Sequence, residues 1–240
     1  MWHFHRIDPV QAITPLKFVA FVGAGGKTSF MEYLAERLVR AGKTVAITTT
    51  TKIYVREPYE LLNNGRALLG HPASPFMRFG KSLEGGKLTG VSFPDIYRLG
   101  ATYDIVLIEA DGARGKPLKF PAPHEPVIPP QTERTYVIAG LDALYGRVED
   151  MVFRWELLPR SVGIDRKTII TPEVYLAFFS PSALLKNIDT QNCSVVLNKY
   201  DTVDRKNDGS SMARCLTRSV HGIDVVVSSV KLRTFYRIVH

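Results

Sequence analysis

A doubly wound α/β fold with a mostly parallel sheet and a small edge insertion is predicted by this 240-residue sequence, on three observations. Six apolar runs rich in β-branched residues recur along the chain. They are apolar on both parities, as strands covered on two faces are. The first two are joined by a stretch of helical periodicity, which makes a βαβ unit. The runs are LKFVAFV (16–22), KTVAITT (43–49), YDIVLIE (103–109), RTYVIAG (134–140), CSVVLN (193–198) and GIDVVVSS (222–229). Between the first and second, Phe30, Leu34, Leu38 and Ala41 follow helical spacing, and Gly42 sits where a helix would stop. Residues 56–100 hold short apolar runs, prolines and a Gly-Gly suited to a hairpin, and read as the small insertion at the sheet edge. Residues 141–190 read as helical; TPEVYLAFF (171–179) opens on a Thr cap with Pro in the first turn. One domain over 1–240 is expected, with ligands at the carboxyl ends of the strands.

Composition narrows the function classes. The chain is 45% hydrophobic with a formal charge of +8, which favours anionic ligands in general. The basic residues are scattered rather than gathered with aromatics, so a nucleic-acid role is set aside. No apolar stretch reaches the roughly 18 residues of a membrane helix or the form of a signal peptide, so a cytoplasmic protein without a membrane partner is expected. Cys193 and Cys215 are too few and too far apart for a disulfide framework or a zinc site, and read as small buried hydrophobes. His3 and His5 fall at an end expected to be mobile, and His124-Glu125 lacks the second histidine of a zinc-protease helix, so no metal beyond Mg²⁺ is expected.

The first strand runs into Gly23-Ala24-Gly25-Gly26-Lys27-Thr28-Ser29. A standard Walker A loop would need glycine at position 21, where Phe21 stands. The shorter Gly-x-x-Gly-Lys-Thr form resembles the compact phosphate loops of the Mur-ligase type. Its chemistry is the same: glycines turn backbone N–H groups toward a phosphate, and the helix that follows adds its positive end. Lys27 would meet the β- and γ-phosphates, and the Thr28 hydroxyl a Mg²⁺ ion. The architecture is therefore P-loop NTPase-like.

Four further stretches refine this. The second strand ends in Thr48 to Lys52, where Thr49 is placed to complete the Mg²⁺ shell and Lys52 to offset phosphate charge. The third run arrives at Glu109 and Asp111, as a Walker B strand does; Asp111 would hold Mg²⁺ and Glu109 orient the attacking water. Arg114, just beyond, could act as an internal arginine finger, in a basic loop 112–130 with Lys116 and Lys119. Asn198-Lys199-Tyr200-Asp201 is an Asn-Lys-x-Asp pattern: the aspartate pairs with both donors of a guanine edge and the lysine stem packs on the ring. Ser229, in Ser228-Ser229-Val230-Lys231 after the next strand, takes the place of a Ser-Ala-Lys-like base contact. GTP is thus preferred over ATP.

GAGGKTSF, TTTTK, EADGARGKPLKFPAPHEPVIP, SALLKNID and LNKYD, in this order, resemble the YqeC family of accessory proteins for selenium-dependent molybdenum hydroxylases. The resemblance runs from about residue 18 to the last strand, and the proline-dense path after the carboxylates is its most distinctive part. It implies a nucleotide-dependent helper in maturing such an enzyme or its cofactor, with the molybdenum hydroxylase or that cofactor as partner. The expectation is a Mg²⁺-dependent GTP-binding NTPase, with a homodimer left open. Its rivals are a small-molecule kinase or cofactor transferase using ATP, and a nucleotide-binding chaperone or scaffold that does not hydrolyse. The ending KLRTFYRIVH leaves little room for a closing helix over the base pocket.

Overall fold

A computed structural model describes residues 3–62, 72, 74–159, 163–202, 206–220 and 222–239; residues 63–71 and 73 of the expected edge insertion, and 160–162 of the expected helical segment, lie outside them. In chain order the strands are β1 (His3–Arg6), β2 (Phe18–Gly23), β3 (Val45–Thr49), β4 (Lys52–Tyr54), β5 (Tyr59–Leu61), β6 (Phe76–Gly80), β7 (Leu83–Glu84) and β8 (Lys87–Thr89). They continue with β9 (Ile105–Glu109), β10 (Leu118–Lys119), β11 (Arg134–Gly140), β12 (Val152–Phe153), β13 (Cys193–Asn198), β14 (Asp224–Ser229) and β15 (Thr234–Val239). The α-helices are α1 (Pro9–Ile13), α2 (Lys27–Arg40), α3 (Phe93–Thr102), α4 (Val148–Met151), α5 (Pro172–Ala177) and α6 (Lys206–Ser219).

The six expected runs become β2, β3, β9, β11, β13 and β14, all in one sheet of order β1-β15-β14-β13-β11-β2-β9-β3-β6-β5. Pairing is parallel from β14 to β5 and antiparallel only where β15 and β1 close one edge. The fold is a mixed α/β arrangement of the P-loop type. Both faces are covered because side chains alternate along each strand. Val19 and Phe21 of β2 join Phe30, Leu34 and Leu38 of α2 on one side, while Ala20 and Val22 join Met212 and Leu216 of α6 on the other. The Phe21 ring stacks on Tyr136 at 5.4 Å, and Phe30 meets both edge-on at 6.0 and 5.8 Å. That aromatic trio fixes the first turn of α2 above β2.

Several expectations are corrected. The stretch holding His3 and His5, expected to be mobile, is the strand β1, which pairs with β15, itself paired with β14 on its other side. The insertion does more than decorate the edge, because β6 pairs with β3 and β5 with β6, extending the main sheet in parallel. Its Gly-Gly does turn a hairpin between β7 and β8, with Gly85 at φ 54° and Gly86 at φ 72°, as a two-residue primed turn requires. The described residues of 141–190 form short helical turns and the two-residue strand β12 among irregular segments. The exception read correctly is α5, whose Thr171 side chain accepts from Val174 N–H with Pro172 behind it. Cys193 is buried but Cys215 is exposed on α6.

Candidate functional site

β2 lies between β9 and β11, and the crossover through α2 carries the chain past β9 to β3. The carboxyl ends of β2, β9 and β11 therefore meet where successive connections diverge, which is where open α/β sheets place ligands. Gly25 is at φ 79°, and a Cβ there would stand 2.2 Å from Gly140 N, so only glycine lets the loop lie against the end of β11. Ala24 N–H donates to Ile138 O (2.7 Å) and Gly25 N–H to Lys116 O (3.0 Å), pinning the outer half of the loop. The first N–H to bond back into the helix is that of Phe30, to Gly26 O. Among the described residues the N–H groups of Gly26, Lys27, Thr28 and Ser29 bond to no protein acceptor. They form the donor end of a 14-residue helix.

Lys27 is buried. Its ammonium donates to Gly23 O (2.6 Å) and stands 3.1 Å from Asp111 Oδ1 and 3.9 Å from Glu109 Oε1. Burial alone would pull its pKa down, but the two carboxylates outweigh it and hold the ammonium above its ordinary range. Glu109 is raised by burial, against the pull of Lys27 and of the Thr28 hydroxyl, which donates to Glu109 Oε2 at 2.9 Å. Asp111 Oδ2 accepts from Gly23 N–H at 2.8 Å, whereas its Oδ1 accepts no hydrogen bond. Lys27, Thr28, Glu109 and Asp111 are thus brought together.

Mg²⁺ fits the donor set on its chemistry. Thr28 Oγ1, Glu109 and Asp111 Oδ1, whose one close partner is the Lys27 ammonium, are all oxygens, and a Mg²⁺ ion takes one or two carboxylates with phosphate oxygens and water supplying the rest. Among the described residues no group of three or more His, Cys, Asp and Glu is disposed to hold a metal ion. Thr49 is otherwise engaged: its hydroxyl donates to Glu109 O (2.8 Å) and accepts from Thr51 N–H (3.0 Å), joining the ends of β3 and β9. Lys52 is exposed and pairs with the equally exposed Glu84 at 2.8 Å. Arg114 is exposed at φ 47°, its guanidinium 5.4 Å from the centre of the Phe153 ring.

Asn198 lies at the end of β13, two strands from β2. Its amide donates to Gly25 O (2.9 Å) and accepts from the Ser228 hydroxyl (3.1 Å) and Val230 N–H (3.3 Å), so one side chain ties the glycine-rich loop to the end of β14. Lys199 follows at φ 64° and pairs with Asp142 at 2.6 Å. Asp201 sits half-buried in a short 3-10 turn beyond it. Ser229 is turned inward and accepts from Leu232 N–H (3.1 Å).

Sequence reasoning missed what stands behind the carboxylates. Lys119, fully buried, donates to Gly112 O (2.7 Å) and Glu125 (2.6 Å) and lies 3.0 Å from Asp111 Oδ2. Glu125 is buried in turn and pairs with Arg154 at 2.5 Å. Burial would push the Glu125 carboxyl up, but the bonds from Arg154 and Lys119 hold it at about 2. The six-residue interval from Lys119 to Glu125 carries no periodic signal; a turn closed by Glu125 N–H to Ala122 O folds one back on the other. The only hint in the sequence was a lysine between leucine and phenylalanine, in the order of a strand rather than of a solvated loop.

Two comparisons bear on identity. The family model described as YqeC protein matches residues 19–156. The chain is also 34% identical over 224 residues to the protein named Uncharacterized protein YqeC from Escherichia coli (strain K12), a match spanning 87% of this chain and 85% of that protein. The segment matched by the family model holds the glycine-rich loop, both carboxylates and the Lys119–Glu125–Arg154 pairs, while Asn198 to Asp201 lie beyond it.

Proposed function

The chain belongs to the YqeC family, and from that premise we propose that it is a Mg²⁺-dependent P-loop nucleotide-binding protein, a GTP-preferring nucleoside triphosphatase. Its role would be accessory, in maturing a selenium- and molybdenum-dependent hydroxylase or its cofactor; that part rests on the sequence resemblance alone. The observation that carries the nucleotide reading is the pairing of four uncommitted N–H groups at the start of α2 with a lysine held beside two buried carboxylates. In this reading Lys27 leaves Asp111 for the β/γ-phosphates. Thr28 and Asp111 would hold the Mg²⁺, whose charge would offset that of the transferring phosphoryl group. Glu109, buried and with its pKa raised, is suited to hold the attacking water and take its proton. Asn198 fixes the spacing between the phosphate loop and the base-reading turn, where Asp201 would accept from guanine and Lys199 cover it.

One observation favours a second reading. The exposed guanidinium of Arg114 lies just past the carboxylates, where a kinase or transferase would hold an anionic acceptor. Competition binding of GTP, ATP and xanthosine triphosphate to wild type and Asp201→Asn tests the base. The variant should lose GTP and gain xanthosine triphosphate by about tenfold or more, since a mismatched buried donor or acceptor costs about 1–3 kcal/mol. Wild type that prefers ATP, with an indifferent variant, would refute the guanine reading. Phosphate release measured with and without an anionic acceptor separates hydrolysis from transfer.

A further inference from the structure

Asp111 is held by two lysines that do different work. One oxygen, Oδ2, is fixed by Gly23 N–H at 2.8 Å and by Lys119 at 3.0 Å; the other, Oδ1, faces Lys27 at 3.1 Å and accepts no hydrogen bond. Lys119 has three N–H donors and three oxygens around it, Gly112 O, Glu125 Oε2 and Asp111 Oδ2, and it is wholly excluded from solvent. It has neither a spare acceptor to move to nor a path out. Lys27, by contrast, stands in the first turn of α2, beside the N–H groups that a phosphate would meet. Were Lys27 the only cation at Asp111, its departure to a phosphate would strand a buried carboxylate.

We propose that Lys119 is the positioning residue of the nucleotide site: with Glu125 and Arg154 behind it, it keeps Asp111 seated against Gly23 with Oδ1 turned toward the bound cation. This rests on the nucleotide reading above. Lys119 touches neither phosphate nor metal. It acts as an outer partner that orients a ligand, a class of residue whose loss typically costs 10–100-fold in metal affinity. Glu125 locks the lysine, and Arg154, with 28% of its side chain exposed, closes the series at the surface.

The test is binding of a fluorescent GTP analogue to full-length wild type and Lys119→Met, each titrated with Mg²⁺ and measured separately in EDTA. In the variant the half-saturating Mg²⁺ concentration should rise about 10–100-fold, while the affinity in EDTA, set by Lys27 and the loop amides, falls far less. Equal losses with and without Mg²⁺ would mean a merely structural lysine and would overturn the proposal, as would an unchanged Mg²⁺ requirement. Should Lys119→Met fail to fold, Arg154→Met decides: a rise of about threefold or more in half-saturating Mg²⁺ supports the series, and an unchanged value overturns it. Wild type that does not bind the analogue at all would instead refute the nucleotide reading itself, and wild type that binds it with no Mg²⁺-linked increment would overturn the cation site at Asp111 and the proposal with it, so the failures are distinct.

Discussion

Replacing Asn198 with alanine removes a side chain that is 3% exposed and bonds to three groups on two separate elements. Gly25 O, in a buried bond, and Val230 N–H, in a part-buried one, would be left without that partner, while the Ser228 hydroxyl can rotate to another acceptor. Each net hydrogen bond contributes about 0.5–1.5 kcal/mol, and each buried group left bare costs about 1–3 kcal/mol, so a loss of about 3 kcal/mol is expected. For a chain of this length that lowers Tm by about 6–12 °C. Thermal unfolding followed by circular dichroism checks it, with Ser228→Ala as the milder comparison at about 1 kcal/mol. Asn198→Asp should be at least as damaging as alanine, because it turns an acceptor toward Gly25 O where a donor stood. A Tm for Asn198→Ala within about 2 °C of wild type would refute the idea that this amide joins the loop to the end of β14.

Gly25→Ala should cost about 3 kcal/mol or more, since its Cβ would meet Gly140 N at 2.2 Å and φ is +79°; Gly42→Ala, at φ +81° with open space around it, should cost only about 1–2 kcal/mol, and similar melting shifts for the two would contradict the close approach. Glu125 titrates near 2 in the folded chain against an ordinary 4.5, so its contribution to stability is whole above about 4.5 and is lost as pH falls toward 2. The stability difference between wild type and Glu125→Gln, from urea melts at several pH values, should therefore shrink across that window, and a constant difference would count against the pairing. Lys27→Met should weaken GTP binding by about 10–100-fold, the worth of a charge-assisted contact, and isothermal titration showing equal affinity would make the glycine loop purely structural.

How far the sequence could be read follows from what each kind of signal encodes. Buried parallel strands are apolar on both faces, so β2, β3, β9, β11, β13 and β14 stand out as continuous runs. β15, flanked by β14 and β1, does not: in Thr-Phe-Tyr-Arg-Ile-Val the buried Phe235 and Ile238 lie on opposite faces with half-exposed Tyr236 and Arg237 between them, so the stretch shows neither a continuous apolar run nor a period of two. β5 and β6 are short and lie among prolines, so the pairing of β6 with β3 and of β5 with β6 is decided by the sheet edge they find. Within the site, motif spacing located Lys27, Thr28, Glu109 and Asp111 because a strand end and a helix start fix them. Ser228 rather than Ser229 meets Asn198, which is a matter of strand parity that a dipeptide of serines leaves open.

Charge explains why the cluster holds together as it stands. Lys27, Lys119 and Arg154 face Glu109, Asp111 and Glu125, three cations against three carboxylates, most of them out of reach of water. On the proposed reading, a bare triphosphate that draws Lys27 to itself leaves those three carboxylates facing two cations in a poorly screened interior, at a cost that offsets part of the phosphate contact. A divalent cation entering beside Asp111 Oδ1 restores the counter-charge. Phosphate and metal are then linked through one lysine: each makes room for the other, and either alone binds less well than both together.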